Sequence, residues 1–352
     1  MPHSSTASPK PRYSRLKRAV VILLGSIPFV LGLLYFLWPK NQSDPKIVFE
    51  RYTTPNSYFI DYQGGQVHYV DTGYGERVVV AIHGLNSCFY HFTPLLENTP
   101  ILDSFRIIGI DLPGFGLSNP PNYKTLPKDF SFQKHFTGAV TAVLEDAGVD
   151  SCMILANSLG GMLSWNVAYE RPDLVQSMML MAPAGFAWDS ITQPYVEGMA
   201  PWYVGAILNL RLGVSREERA DAANYSFYNK EALPRNWFSQ RVQAGYAFMN
   251  LPDRMQWLRT MILSQEVADT SRIQQLTQPT MILWGEEDAV LPYAHRNRFM
   301  QDLQEGYLVE MPATGHVPHE EDPRFVFNLL YDFYNRQQST VEDELEWVQS
   351  FD

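Results

Sequence analysis

Three side chains of this sequence could act together as a nucleophile, a base and an acid: Ser158, His316 and Asp288. A serine hydroxyl is a poor nucleophile by itself, so an imidazole must take its proton. A buried carboxylate then fixes the tautomer of the imidazole and stabilises its charged form. The three residues therefore predict nucleophilic catalysis, provided that the fold brings them together.

Ser158 stands between a strand pattern and a helix pattern. Residues 153–156 (MILA) predict a buried strand, and residues 162–169 (MLSWNVAY) predict a helix. Small residues, Ala156 and Gly160, lie two positions to either side of the serine, as a tight strand-to-helix turn requires. Gly is commoner than Ala at the first of these positions. The pattern alone also fits an ordinary turn, so the base and the acid decide between the two interpretations.

The elements that must position these residues alternate between strand and helix patterns. Apolar runs predict strands at 77–82, 107–110, 153–156, 175–181, 280–284 and 307–311, a β-hairpin at 58–62 and 66–70, and helices at 130–147 and 323–334. Such alternation predicts a parallel sheet with its functional residues at the carboxyl ends of the strands. Ser158, Asp288 and His316 each follow such an end.

The alternation stops between residues 187 and 275. This stretch is mostly helical in pattern and rich in large apolar side chains. An insertion of this kind between strands predicts a cap over the site. Most of its aromatic residues are expected to form the cap's own core, but a cap of this composition also favours an apolar substrate.

Five motifs together resemble those of the Ser-type α/β-hydrolases, over residues 57 to about 337. They are His83-Gly84, residues 111–118 (DLPGFGLS), 157–161 (NSLGG), 284–288 (WGEED), and Gly315-His316 followed by Glu321 and Pro323. A serine at the elbow argues against the dehalogenases and epoxide hydrolases of this family, which use Asp. The N-terminal sequence and residues 182–185 (APAG) look most like the membrane-anchored monoacylglycerol-lipase-like esterases.

The resemblance implies an α/β-hydrolase fold, in which helices flank a mostly parallel, eight-stranded sheet and a helical cap is inserted after strand 6. The core then comprises residues 57–186 and 276–337, the cap 187–275, and an acidic tail 338–352. The resemblance gives Asp111 a structural role.

The expected roles are Ser158 as nucleophile, His316 as general base and acid, and Asp288 as orienting acid. Backbone N–H groups of Leu85 and Leu159 are the expected oxyanion donors.

Alternatives remain open at several of these positions. Glu287 is adjacent to Asp288, Asp189 is a rival acid position, and Asn86 could replace Leu85 as a donor. Among the other histidines, His83 is expected to shape its loop, His68 to lie on a strand surface, and His319 to lie at the surface or in a loop.

The first 56 residues differ from the rest. Residues 1–18 are basic and precede an uncharged run of 20 residues, 19–38, which is long enough to cross a hydrocarbon core of about 30 Å. A cleaved signal peptide is the rival, but no A-x-A-like site follows Trp38. The positive-inside rule predicts a single-pass protein with a cytoplasmic N-terminus and an extracytoplasmic catalytic domain. Residues 39–56 are interpreted as a polar linker.

Composition excludes some other functions. Residues 41–352 hold 21 basic and 38 acidic residues, a formal charge of −17, so nucleic acid is not an expected partner. Neither a metal site nor a disulfide between Cys88 and Cys152 is expected. The sequence predicts no particular oligomeric state.

The predicted function is a cofactor-free serine esterase or lipase acting on apolar or lipid-like esters. A carbon–carbon bond hydrolase of the meta-cleavage-product type is one alternative. A ligand receptor on a hydrolase fold is the other.

Overall fold

The computed structural model describes residues 43–73, 75, 77–97, 105–186, 215–233 and 236–337. Several predictions fall outside these residues: the basic segment 1–18, the apolar run 19–38, the first part of the cap with Asp189, and the tail 338–352.

The described chain is built around one eight-stranded sheet with the strand order β1-β2-β4-β3-β5-β6-β7-β8. The strands are β1 Ser57–Tyr62, β2 Gly65–Asp71, β3 Arg77–Ile82, β4 Phe105–Ile110, β5 Cys152–Asn157, β6 Val175–Met181, β7 Thr280–Gly285 and β8 Gly306–Met311. The pairs β1–β2 and β2–β4 are antiparallel, and all other neighbours are parallel. The predicted hairpin and the mostly parallel sheet are confirmed.

Strand β5 shows why the central strands consist of continuous apolar runs. Ile154 and Ala156 belong to the hydrophobic core on one face of the sheet, whereas Met153 and Leu155 belong to the core on the other. A parallel strand that is covered on both faces needs an apolar side chain at every position. Strand β5 ends at Asn157, immediately before Ser158.

Helices flank the sheet. The α-helices are α1 Pro45–Tyr52, α2 Thr93–Glu97, α3 Phe132–Asp146, α4 Leu159–Glu170, α5 Arg216–Asn224, α6 Trp237–Met249, α7 Arg254–Ser264, α8 His295–Asp302, α9 Pro318–Glu321 and α10 Pro323–Arg336. The side chains of Ser131 and Asp322 accept hydrogen bonds from the first turns of α3 and α10. Such N-caps fix where a helix begins.

The described residues between β6 and β7 form α5, α6, α7 and short 3₁₀ turns, with no strand among them. Trp257 of α7 is fully buried in the core of the sheet domain, and its indole N–H donates to the carbonyl of Pro113 at 2.8 Å. This part of the chain is thus packed against the sheet domain. Its separate status as a cap stays a prediction.

The predicted linker 39–56 is partly a helix. Asp44 caps α1 and Pro45 occupies its first position, the usual start signal of a helix. Val48 is buried, and the ring of Tyr52 lies 4.7 Å from that of Phe248 in α6. The prediction missed α1 because the apolar face of so short a helix is recognisable only against its tertiary neighbours.

No helix within the described part of the chain is long and apolar enough to cross a bilayer. The apolar run 19–38 lies outside that part. The finding overturns the predicted single-pass localisation, and no membrane anchor is assigned.

Two histidine predictions were also wrong. His68 is buried in β2, because Asp111 supplies a buried partner 2.8 Å from Nδ1 and the ring of Phe59 covers it. His319 is buried in α9, where its ring stacks on Phe92 with 4.6 Å between centroids. Burial lowers the pKa of His319 to about 3.

Candidate active site

Ser158 lies on a strained turn between β5 and α4. Its backbone has φ +55° and ψ −118°, a conformation that an L-residue adopts only at a cost of about 1–3 kcal/mol. A Cβ added at Gly160 would lie 2.2 Å from the carbonyl oxygen of Ile82 in β3, so the helix can pass the strand only with glycine there. The turn has the geometry of a nucleophile elbow.

Two backbone segments adjoin the serine where an oxyanion would form. Leu159 is the first residue of α4, where a helix leaves its N–H groups without intrahelical partners. The loop after β3 also lies against the serine, since a Cβ added at Gly84 would lie 3.0 Å from the Cβ of Ser158. Leu85 follows in that loop and is exposed. The arrangement suits the two expected donors.

His83 holds this loop in place, as predicted. Its Nδ1 lies 2.7 Å from the carbonyl oxygen of Gly84, and its Nε2 accepts from the N–H of Leu112 at 3.0 Å. Nδ1 must therefore carry the proton. Burial lowers the pKa of His83, which keeps the ring neutral in this tautomer.

His316 and Asp288 form a buried pair. Nδ1 of His316 lies 2.8 Å from Oδ2 of Asp288, whose side chain is fully buried. Oδ1 of the same carboxylate accepts from the N–H groups of Val290 at 2.7 Å and Leu291 at 2.9 Å. Two backbone N–H groups of the loop after β7 thus hold Oδ1 and leave Oδ2 facing His316. Glu287, the neighbouring acid, is exposed.

Asn157 connects this pair to the elbow. Its side-chain amide donates to the carbonyl of Met181 and to that of His316, both at 3.0 Å. The main chain of His316 is thereby fixed to the residue that precedes Ser158. The loops after β5, β7 and β8 meet at one edge of the sheet, as the alternating pattern predicted.

Elsewhere in the fold, Ser57 belongs to a Ser–His–Asp chain of hydrogen bonds. Its Oγ lies 2.9 Å from Nε2 of His68, whose Nδ1 contacts Asp111. Asp111 also accepts from backbone N–H groups of Phe89 and Leu117. Ser57, however, opens an edge strand, has no left-handed backbone and does not begin a helix. This chain of hydrogen bonds fits the structural role expected of Asp111. Ser57 therefore serves as a comparison for Ser158.

Sequence reasoning assigned no role to three residues that the structure places around the site. Asn157 was recognisable only as part of its motif, and Glu321 only by its spacing from His316. Arg219 of α5 is buried and donates to the carbonyl of Asn86 at 3.0 Å. Nothing in the local sequence of α5 pointed to that contact.

Comparison with known proteins agrees with this geometry. A family model described as alpha/beta hydrolase fold matches residues 77–323. The chain belongs to the α/β-hydrolase family. The match spans β3 to the start of α10 and includes Ser158, Asp288 and His316.

Individual relatives are distant. An uncharacterized hydrolase, YugF of Bacillus subtilis (strain 168), is 23% identical over 262 residues, 74% of this chain and 90% of the relative. A 2-hydroxy-6-oxononadienedioate/2-hydroxy-6-oxononatrienedioate hydrolase of a Pseudomonas species is 24% identical over 80% of this chain and 97% of its own. The crystal structure of a membrane phospholipase A has a TM-score of 0.63 at 20% identity, covering 92% of this chain and 100% of the other. Two of these three proteins are named as hydrolases and the third as a phospholipase, and the two names that indicate a substrate indicate different ones.

Proposed function

We propose that this hydrolase cleaves carboxylic esters of apolar or lipid-like substrates through an acyl-enzyme on Ser158. The observation that carries the proposal is the left-handed elbow of Ser158 beside the buried His316–Asp288 pair. His316 is the general base and acid, Asp288 orients it, and the N–H groups of Leu85 and Leu159 hold the oxyanion. No cofactor is needed for this chemistry.

The reaction proceeds in two halves. The Oγ of Ser158 attacks the ester carbonyl while Nε2 of His316 takes the hydroxyl proton, and His316 then gives that proton to the departing alcohol. A water molecule attacks the acyl-enzyme with His316 again as base, which releases the carboxylic acid. The hydrogen bond from Nδ1 to Asp288 keeps Nε2 free to accept the proton in both halves.

An apolar substrate is proposed for two reasons. Residues 187–275, proposed as a cap, are rich in aromatic and other large apolar side chains. The phospholipase with the same fold acts, by its title, on a lipid ester. A monoacylglycerol-lipase-like specificity is the finer form of this proposal.

A carbon–carbon bond hydrolase is the second candidate. The Pseudomonas relative is named for 2-hydroxy-6-oxo dienoate substrates. The same serine, histidine and acid can serve that reaction, so the site geometry does not separate the two candidates. Measuring turnover on each substrate class separates the two candidates.

The decisive experiment is hydrolysis of p-nitrophenyl esters from acetyl to palmitoyl by purified full-length protein, beside the variants Ser158→Ala and Ser57→Ala. We expect turnover with a preference for medium or long acyl chains. Ser158→Ala should abolish it, because the nucleophile is lost. Ser57→Ala should retain it, because Ser57 is hydrogen-bonded to a histidine but opens an edge strand and does not lie on an elbow.

Three results would change the proposal. Equal activity of Ser158→Ala and wild type would refute the role of Ser158. Turnover of a 2-hydroxy-6-oxo dienoate without ester turnover would select the second candidate. A folded protein that turns over neither substrate would favour a receptor on a hydrolase fold.

A further inference from the structure

Four hydrogen bonds connect the loop that carries His316 to residues 226–229, which follow α5, either directly or through the carboxylate of Glu321. The N–H of His316 itself donates to the carbonyl of Ser226 at 2.9 Å. The other three end on the carboxylate of Glu321. Its Oε1 accepts from Gly315 at 2.7 Å, and its Oε2 accepts from Tyr228 at 3.0 Å and from Asn229 at 3.3 Å.

The two segments touch along their main chains. A Cβ added at Gly315 would lie 2.8 Å from the nitrogen of Tyr228 and 2.9 Å from both the oxygen of Ser226 and Oε1 of Glu321. Glycine is therefore the residue that permits this approach. Gly315 precedes His316 directly, so any shift of residues 226–229 acts on the backbone of the proposed base.

Glu321 lies within this contact as a partly buried carboxylate. Burial raises the pKa of Glu321, and the N–H groups of Gly315, Asn229 and Tyr228 act in the opposite direction. A carboxylate that accepts from backbone N–H groups forms charge-assisted bonds, which are about twice as strong as neutral ones. We call Glu321 together with Gly315, Tyr228 and Asn229 the histidine-loop clamp.

We propose that Glu321 is a positioning residue, which holds His316 in its reactive place by clamping its loop to residues 226–229. The proposal rests on the serine-hydrolase function proposed above.

Loss of the clamp should act on the chemical step. In Glu321→Gln one carboxylate oxygen is replaced by an N–H₂ group, which cannot accept a hydrogen bond from a backbone N–H. At least one of the three bonds is therefore lost. A displacement of about 1 Å in a catalytic group can cost about 100-fold in rate. We expect kcat for ester hydrolysis to fall about 10- to 100-fold, with KM within twofold of wild type.

Glu266→Gln is the matched control. Glu266 lies in residues 187–275, and its carboxylate, like that of Glu321, accepts hydrogen bonds from backbone N–H groups, those of Phe132 at 2.7 Å and Gln133 at 3.2 Å. These bonds lie at the start of α3, far along the chain from the histidine loop. A comparable loss of thermal stability in both variants, with kcat lowered only in Glu321→Gln, separates positioning from general stabilisation.

Amide hydrogen exchange tests the clamp without any turnover. In Glu321→Gln the amides of Gly315 and His316 should exchange at least tenfold faster than in wild type, because their acceptors are lost or loosened. Glu266→Gln should leave them unchanged. If the wild type proves not to hydrolyse esters, this comparison still decides whether the clamp exists. Failure of the proposed function can therefore be distinguished from failure of the clamp proposal.

The proposal is overturned if Glu321→Gln keeps kcat within twofold of wild type, if Glu266→Gln lowers kcat equally, or if exchange at Gly315 and His316 does not change. Should Glu321→Gln fail to fold, Glu321→Asp provides the same comparison. It keeps the charge but shortens the reach by one methylene, and the same kcat and exchange limits apply.

Discussion

Replacement of Asp288 by Asn changes one atom of a fully buried side chain, and the structure fixes how the amide must lie. Oδ1 accepts from the N–H groups of Val290 and Leu291. An amide nitrogen cannot accept these bonds, so the oxygen of Asn stays there and the N–H₂ group faces His316. The amide then donates to Nδ1, which forces the proton of His316 onto Nε2.

A histidine in that tautomer cannot take a proton from Ser158. In the serine-protease triad, the same substitution lowers kcat by about 10⁴ for this reason. We therefore expect kcat of Asp288→Asn to fall on the order of 10³- to 10⁴-fold, which corresponds to about 4–5.5 kcal/mol in the activation free energy. The loss in unfolding free energy should be smaller, about 1–3 kcal/mol, since two backbone bonds to the side chain persist.

The assay is steady-state hydrolysis of the best p-nitrophenyl ester by wild type, Asp288→Asn and Glu287→Gln, with urea unfolding of each. Glu287→Gln is the control because it removes the adjacent but exposed acid, and it should keep kcat within a few-fold of wild type. A kcat of Asp288→Asn within tenfold of wild type would refute the assignment of the orienting acid. A larger loss in Glu287→Gln would transfer that role to Glu287.

Two further outcomes follow from packing and from burial. Gly160→Ala should lower the unfolding free energy by about 1–3 kcal/mol or more, because its Cβ would meet a backbone carbonyl at 2.2 Å. Gly138→Ala should lower the unfolding free energy less, because its Cβ would meet only the hydroxyl of Tyr62. Equal urea midpoints of the two variants would contradict this. Burial lowers the pKa of His135 from 6.5 to about 4, so between those pH values only the unfolded chain binds the proton and stability falls as the pH drops below 6.5. Each pH unit corresponds to about 1.36 kcal/mol in the free energy of unfolding. Between pH 6.5 and pH 5, the free energy of unfolding of His135→Gln, measured in urea, should therefore fall by about 2 kcal/mol less than that of wild type. Equal decreases would exclude this contribution.

The local sequence pattern was enough to predict the elements closest to the proposed catalytic residues. The runs before Ser158 and Asp288 could be predicted as strands because a parallel strand covered on both faces must be apolar throughout. The run before His316 is the edge strand β8, which is mostly apolar but contains Glu310. The elbow was predictable because a tight turn restricts residue size at Ala156 and Gly160, and both restrictions are visible in the sequence.

Errors arose where burial depended on distant residues. His68 alternates with apolar neighbours, as a residue on a strand surface does. It is buried because Asp111, 43 positions away, supplies a partner for its Nδ1. Helix α1 was taken for a linker because its packing partner, Phe248 in α6, is remote in the sequence.

The sequence by itself determined the order of serine, acid and histidine and the strand ends that carry them, because these follow from periodicity and residue size. Only the tertiary structure decided which of the two adjacent acids contacts His316, since the side chain of Asp288 is buried against the histidine whereas Glu287 is exposed. It also decided that Glu321 contacts the histidine loop and residues 226–229 at once. Contacts between remote segments depend on how the sheet and helices pack, and no local pattern records them.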